Sequence, residues 1–172
     1  MNRRTFLSTA ALGLVACRSG MAQPIACEST RADIEGPFFR PGAPSRARLG
    51  AGTLHLHGVV MDRACQPIAG ARLELWQADT HGRYDLDGFA FRTRLVSDEL
   101  GRWSVDTIIP GRYLNGPRHR PAHIHAKVHA GDRHLTTQLY FPDDPFNESD
   151  PWFDASRLVR LERDRARFDF VL

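Results

Sequence analysis

The chain has 172 residues, of which 42% are hydrophobic and 25% charged, with a formal net charge of +3. That length and apolar content suit one domain with a buried core and exclude a globally disordered chain. The charge excess belongs to one end: Arg3, Arg4 and Arg18 lie in residues 1–22, which hold no acid, and without them 20 of the 23 basic residues face 20 acidic ones, so bulk charge gives no support to nucleic-acid binding.

Residues 1–22 read as an export signal. Arg3 and Arg4 precede an apolar stretch from Phe6 to Ala16, and small residues follow. The arginine pair ahead of Thr5, Phe6 and Leu7 resembles the twin-arginine type, which predicts a periplasmic or cell-envelope destination. Two processing sites stay open. One lies after Ala22. The other lies before Cys17, where Leu14-Val15-Ala16-Cys17 resembles a lipobox and membrane attachment would follow lipidation. No apolar run reaches the roughly 18 residues that a spanning helix needs. With Cys17 set aside, Cys27 and Cys65 remain, either as a disulfide in an oxidising compartment or as two free thiols.

Residues 23–50, rich in Pro, Gly and Arg, read as an extended arm, and residues 51–172 as one all-β domain, a β-sandwich or barrel. Thr53–Met61 is a predicted strand, Asp62–Pro67 a turn and Ala71–Gln77 the next strand. Phe91–Val96 and Trp103–Ile109 are expected to form a hairpin around Asp98-Glu99-Leu100-Gly101. His123–His129 and Leu135–Phe141 form a second, and a short helical turn falls within Pro151–Arg157. Leu158–Leu161 and Arg167–Val171 close the chain.

The chemistry concentrates in Arg120-Pro121-Ala122-His123-Ile124-His125. Strand side chains alternate faces, so Ile124, Ala126 and Val128 point to the core and His123, His125, Lys127 and His129 point away from it. Histidines at i and i+2 on a strand can bind one metal. His55-Leu56-His57 repeats the spacing without an obvious partner and reads as a surface face. Two of the three tyrosines, Tyr84 and Tyr113, stand in loops expected near the pair, either as metal ligands or as packed loop aromatics. A cupin would place a glutamate soon after the histidines, and Lys127–Arg133 contains none. A barrel hydrolase would need a much longer chain.

Taken in order, several motifs resemble the intradiol ring-cleavage dioxygenases, the family of the protocatechuate and catechol dioxygenases. They are Glu35-Gly36-Pro37-Phe38-Phe39, Leu73–Asp79 leading to Gly82-Arg83-Tyr84, Gly101-Arg102-Trp103, Tyr113, Arg120–His125 and Leu135–Phe141. The resemblance implies a β-sandwich and one non-haem ferric ion, Fe(III), held by Tyr84, Tyr113, His123 and His125. It implies insertion of both atoms of dioxygen into a catechol-type diol, opening the ring between the hydroxylated carbons to a muconate-type dicarboxylate. Tyr113 matches the family's displaceable tyrosine, which helps take up a substrate proton. Arg120 matches an arginine that stabilises negative charge on the ring, a role compatible with a structural ion pair. Gln138 matches a glutamine near the site, which orients a ligand or water, or simply bonds within its strand.

The chain departs from the family in two places. The segment Leu114–His119 is shorter than in typical protocatechuate enzymes and carries no aromatic residue, although Arg118 and His119 could meet an acidic substituent. The long helical amino-terminal part of the catechol enzymes is missing, which leaves open a pocket completed by a second subunit of a homo-oligomer. Two other classes stand beside the enzyme: a non-catalytic β-sandwich binding module, and a zinc protein using His123, His125 and a third imidazole such as His129.

Overall fold

The computed structural model describes residues 26–172. The expected export signal, including Cys17, lies outside the described residues. Eleven strands follow one another: β1 Leu54–Met61, β2 Arg72–Gln77, β3 Arg92–Val96, β4 Arg102–Thr107, β5 Tyr113–Asn115, β6 Arg118–Arg120, β7 His123–Ala130, β8 Arg133–Tyr140, β9 Arg160–Glu162, β10 Arg165–Arg167 and β11 Phe170–Val171. Among the described residues a single 3₁₀ turn spans Ala155–Arg157, capped by the Asp154 carboxylate. Among the described residues, no helix is long and apolar enough to cross a membrane.

Two sheets make the sandwich. One carries β11, β1, β10 and β9, with β4 paired to β1, and the other has the order β3-β2-β7-β8. The alternation of β1 explains the first sheet: Leu54, Leu56 and Val60 are buried, and His55, His57 and Val59 face out. From the second sheet Leu73, Leu75, Ile124, Ala126, Val128 and Leu139 enter the same core, where they meet Val105 and Phe170. Each large apolar side chain sealed there stabilises the fold by about 1.5–3 kcal/mol.

Three expectations need correction. β3 and β4 are not a hairpin, because β3 pairs with β2 and β4 with β1. The Asp98 carboxylate accepts the Leu100 and Arg102 backbone N–H groups and closes the turn. The chain then crosses from one sheet to the other, so that Leu95 and Trp103 both reach the shared core. The closing segment forms three short strands, and Leu158 makes only an isolated bridge to Tyr140. Tyr113 and Arg120 do not sit in an open loop. They face each other in register on the β5–β6 ribbon.

Residues 26–50 hold no strand. Backbone bonds from Asp33 to Thr136, Leu49 to Asp106 and Asp106 to Ala47 hold this segment to both sheets. Cys27 and Cys65 are joined by a disulfide. The segment covers the outer face of β7 and β8, so His123 and His125 are as buried as the core residues between them.

Candidate metal centre

Four rings converge where the arm crosses the second sheet. His123 and His125 project from the start of β7 with ring centroids 4.9 Å apart. The Tyr113 ring lies 5.6 Å from His123, and the Tyr84 ring 6.2 Å from His125. The two phenol rings meet edge to face at 5.7 Å. Tyr84, Tyr113, His123 and His125, far apart in sequence, thus form one cluster.

The loops that carry the tyrosines are built locally. The Asp79 carboxylate accepts the His81 and Arg83 backbone N–H groups, and the Asp79 carbonyl accepts those of Gly82 and Gly111. Gly82 has φ +76°, and a Cβ there would stand 2.1 Å from the Arg112 carbonyl oxygen. Only glycine lets the Tyr84 loop lie this close to the Tyr113 segment. Past Tyr84, buried Arg92 donates to the Phe38 carbonyl at 2.6 Å and to the Asp85 carbonyl at 2.9 Å, tying arm and loop together. Phe38 then stacks on Tyr84 at 4.2 Å.

Each histidine is oriented by its neighbours. His123 Nδ1 donates to the Pro121 carbonyl at 2.7 Å, which leaves the Nε2 lone pair free. His125 stacks flat on Trp76 at 4.8 Å. On its edge, Gly36 at φ +72° approaches so closely that a Cβ would sit 3.2 Å from His125 Cε1. Burial, with help from the Arg120 charge, pushes the His123 pKa down to about 3. Burial and the neighbouring imidazole hold His125 well below its ordinary value. Both rings are therefore neutral. Burial raises the Tyr84 and Tyr113 phenols, so neither ionises at neutral pH without a cation beside it.

The polar atoms of this cluster are unspent. Tyr84 Oη, His123 Nε2, His125 Nδ1 and His125 Nε2 are buried without a hydrogen-bond partner. Buried polar groups without partners are rare because each costs about 1–3 kcal/mol. Two neutral imidazoles and two phenols fit a hard trivalent cation, which would supply the missing contacts. Among the described residues no third His, Cys, Asp or Glu joins a group that could hold a metal. The zinc reading therefore lacks its third ligand. His129 lies further along β7, opposite His134.

A family model described as Dioxygenase matches residues 34–167, the stretch that holds this cluster. The chain belongs to the intradiol dioxygenase family. A catechol 1,2-dioxygenase of Acinetobacter baylyi is 37% identical over 153 residues, covering 71% of this chain and 49% of the relative. A chlorocatechol 1,2-dioxygenase of Rhodococcus opacus is 34% identical over 153 residues, covering 70% of this chain and 60% of the relative. The chain thus spans about half the length of the curated relatives it matches. Among solved structures, the dioxygenase domain of a carbohydrate-binding fusion protein from Streptomyces sp. SirexAA-E superposes with a TM-score of 0.76 at 42% identity, covering 84% of this chain and 98% of that one.

Arg120 and Gln138 flank the cluster as one unit. Arg120 Nη2 donates to Gln138 Oε1 at 2.6 Å, and Gln138 Nε2 donates to the Ile34 carbonyl of the arm at 3.1 Å. Both readings of Arg120 meet here, since its Nε also donates to Asp150 at 2.8 Å in a buried ion pair. Its guanidinium lies 4.6 Å above the Trp152 ring. Asp150, Trp152 and Arg92 are the residues that sequence reasoning missed. Asp150-Pro151-Trp152 gave one signal, an acid just before the predicted helical turn and an aromatic within it. Phe146, from the loop after β8, stacks on His119 of the Leu114–His119 segment at 4.6 Å.

Proposed function

We propose that this protein opens the ring of a catechol-type diol between its two hydroxylated carbons. Both atoms of dioxygen enter the product, a muconate-type dicarboxylate. Tyr84, Tyr113, His123 and His125 would hold a non-haem ferric ion. The observation that carries this reading is the set of buried, unpartnered phenol and imidazole atoms on one spot. The coverage of nearly all of the Streptomyces dioxygenase domain supports the sandwich alone as a sufficient unit.

When bound, the ferric ion would withdraw electron density from the diol and make a ring carbon reactive toward dioxygen. The chain's own residues do the rest. His123 and His125 enter with lone pairs ready, because burial keeps them neutral. Tyr84 is held by Phe38 stacking and stays put. Tyr113 sits half-buried on a two-stranded ribbon and is the phenol free to swing. Held as phenolate by the bound cation, its Oη would be able to take up a proton from a substrate hydroxyl. Arg120, anchored by Asp150 and Gln138, presents a fixed positive charge to the electron-rich ring.

The Cys27–Cys65 cross-link supports action in an oxidising compartment, in keeping with the proposed export signal at residues 1–22. Substrate choice is tested by oxygen uptake with catechol, chlorocatechol and hydroxyquinol, paired with product spectra. A red-brown holoprotein that consumes one dioxygen per diol is expected. Colourless iron-loaded protein, or oxygen uptake without ring-opened product, would overturn the proposal.

A further inference from the structure

Tyr140 and Arg157 are buried, and so is the side chain of Asp33, yet none of them has a part in the ring-opening scheme. They gather at the His123 end of the metal cluster. Tyr140 closes β8 opposite His123 and shares a strand face with Gln138. Its Oη lies 3.2 Å from Asp33 Oδ2 and 3.3 Å from Gln138 Oε1. Asp33 pairs with Arg157, whose guanidinium stands 5.4 Å over the Tyr140 ring and whose Nη2 donates to the Trp152 carbonyl. Because Arg120 lies over the Trp152 ring, the contacts close a circuit through Arg120, Gln138, Tyr140, Asp33, Arg157 and Trp152.

This circuit fixes the Gln138 amide from both ends. The arm residues Asp33 and Ile34 are neighbours, and the Asp33 backbone N–H donates to the Thr136 carbonyl of β8 at 2.8 Å. The Ile34 carbonyl accepts from Gln138 Nε2. Asp33 holds the Tyr140 hydroxyl against Gln138 Oε1, the same oxygen that accepts from Arg120 Nη2. A side-chain amide has one acceptor end and one donor end. Turned over, it would set its NH2 against the Arg120 guanidinium and its oxygen against the Ile34 carbonyl. The Tyr140 ring does not follow such a turn, since Phe153 meets it edge-on at 5.3 Å and Arg157 covers one face.

We propose that Tyr140 and Asp33 are positioning residues for Arg120. They hold the Gln138 amide oxygen where it keeps the guanidinium beside Tyr113, opposite Arg120 in register. This inference rests on the ring-opening role proposed for Arg120. Asp150 fixes one nitrogen, Nε, and by itself leaves the guanidinium a pivot about that bond. The Gln138 contact at Nη2 removes the pivot. Docking of the arm thereby sets the position of the charge offered to the diol.

The test uses Tyr140→Phe, which removes the hydroxyl and keeps the ring packed on Phe153 and under Arg157. The first readout is hydrogen exchange at the Arg120 Nε–H of the metal-free full chain, followed by NMR and assigned with Arg120→Lys. Relative to the backbone amides of β1, it should quicken about three- to tenfold, the scale of one lost hydrogen bond. The second readout is turnover of the iron-loaded chain. There kcat with catechol should fall by about the same factor while KM stays within about twofold. The visible absorption should not move, because the iron ligands are untouched. Asp33→Asn keeps an acceptor for Tyr140, so it should change both readouts in the same direction but less. Unchanged relative exchange at Arg120 in Tyr140→Phe overturns the proposal, since a merely structural hydroxyl lowers the melting temperature alone. A displaced visible band also overturns it, because the hydroxyl then acts through His123. If the parent opens no ring, the ring-opening reading fails by itself, and Arg120 exchange alone decides the positioning. If Tyr140→Phe does not fold, Asp33→Asn decides by the same two readouts.

Discussion

The Arg120 guanidinium donates to the Asp150 carboxylate at 2.8 Å, with the two side chains 3% and 0% exposed. Removing one partner of such a pair strands a buried charge, at a cost of about 3–5 kcal/mol. Asp150→Ala is therefore expected to lower the urea unfolding free energy by about that amount. Asp150→Asn keeps a hydrogen-bond acceptor for Arg120 and should lose less. In turnover, Arg120→Ala should lower kcat by about 10²–10³-fold, the scale of one lost charge-stabilising donor. Asp150→Asn should fall between Arg120→Ala and the parent, since the guanidinium remains but its charged anchor becomes a neutral one. Equal kcat in Asp150→Asn and the parent would show that a neutral acceptor positions Arg120 as well as the carboxylate does.

Tyr84 gives a prediction in which stability and function move in opposite directions. Its Oη is buried without a partner in the metal-free protein. Tyr84→Phe removes that unsatisfied group and keeps the ring stacked on Phe38. The metal-free variant should thus melt at or slightly above the parent temperature, because deleting an unpaired polar atom is neutral or stabilising. The iron-loaded variant should lose iron to a chelator more readily, with its visible absorption weakened and shifted. A metal-free Tyr84→Phe protein that melts well below the parent would assign the hydroxyl a structural bond instead.

Why the ligands were legible and their supports were not follows from range. His123 and His125 announce themselves because strand alternation puts i and i+2 on one face. Alternation in β1 and β7 likewise marked the core-facing residues. Pairing partners are a different matter. The turn at Asp98 looks like a hairpin turn locally, and only the competition between β1 and β2 for partners sends β3 and β4 into separate sheets. Asp150 meets Arg120 across 30 residues, and Asp33 meets Arg157 across a longer span. No local period encodes either pair. The arm carries no strand signal of its own, yet it supplies Gly36 beside His125 and Phe38 on Tyr84.

The Cys27–Cys65 bond closes a loop with a sequence separation of 38 and pins the start of the arm to the turn after β1. Chain-entropy reasoning assigns such a loop about 4 kcal/mol. Reduction, or Cys27→Ser with Cys65→Ser, should lower unfolding stability by up to about that amount. The effect should reach the site, since the same arm carries Asp33, Gly36 and Phe38. Protease susceptibility of residues 26–39 is expected to rise first, before the sandwich unfolds. Thiol titration of the oxidised, unfolded protein should find neither Cys27 nor Cys65 free.

Asp144 gives stability a dependence on acid. Burial alone would raise its pKa, but hydrogen bonds from the Ala122 and Phe146 backbone N–H groups and from Arg112 outweigh burial and hold it below the ordinary value of 3.8. A carboxyl depressed in the folded state contributes stability that is fully present above its unfolded pKa. That stability is lost as pH falls through the folded pKa, because the unfolded chain binds the proton more readily. Unfolding free energy should thus decline from about pH 5 downward, and Asp144 should account for part of the slope. Asp144→Asn is expected to be less stable at pH 6 and to show a shallower decline toward pH 3. Because Asp144 clamps Ala122 immediately before His123, the same variant should loosen the start of β7. Amide exchange at Ala122 and His123 should rise at pH 6. Parallel stability curves for the two proteins between pH 6 and pH 3 would remove Asp144 from the acid response.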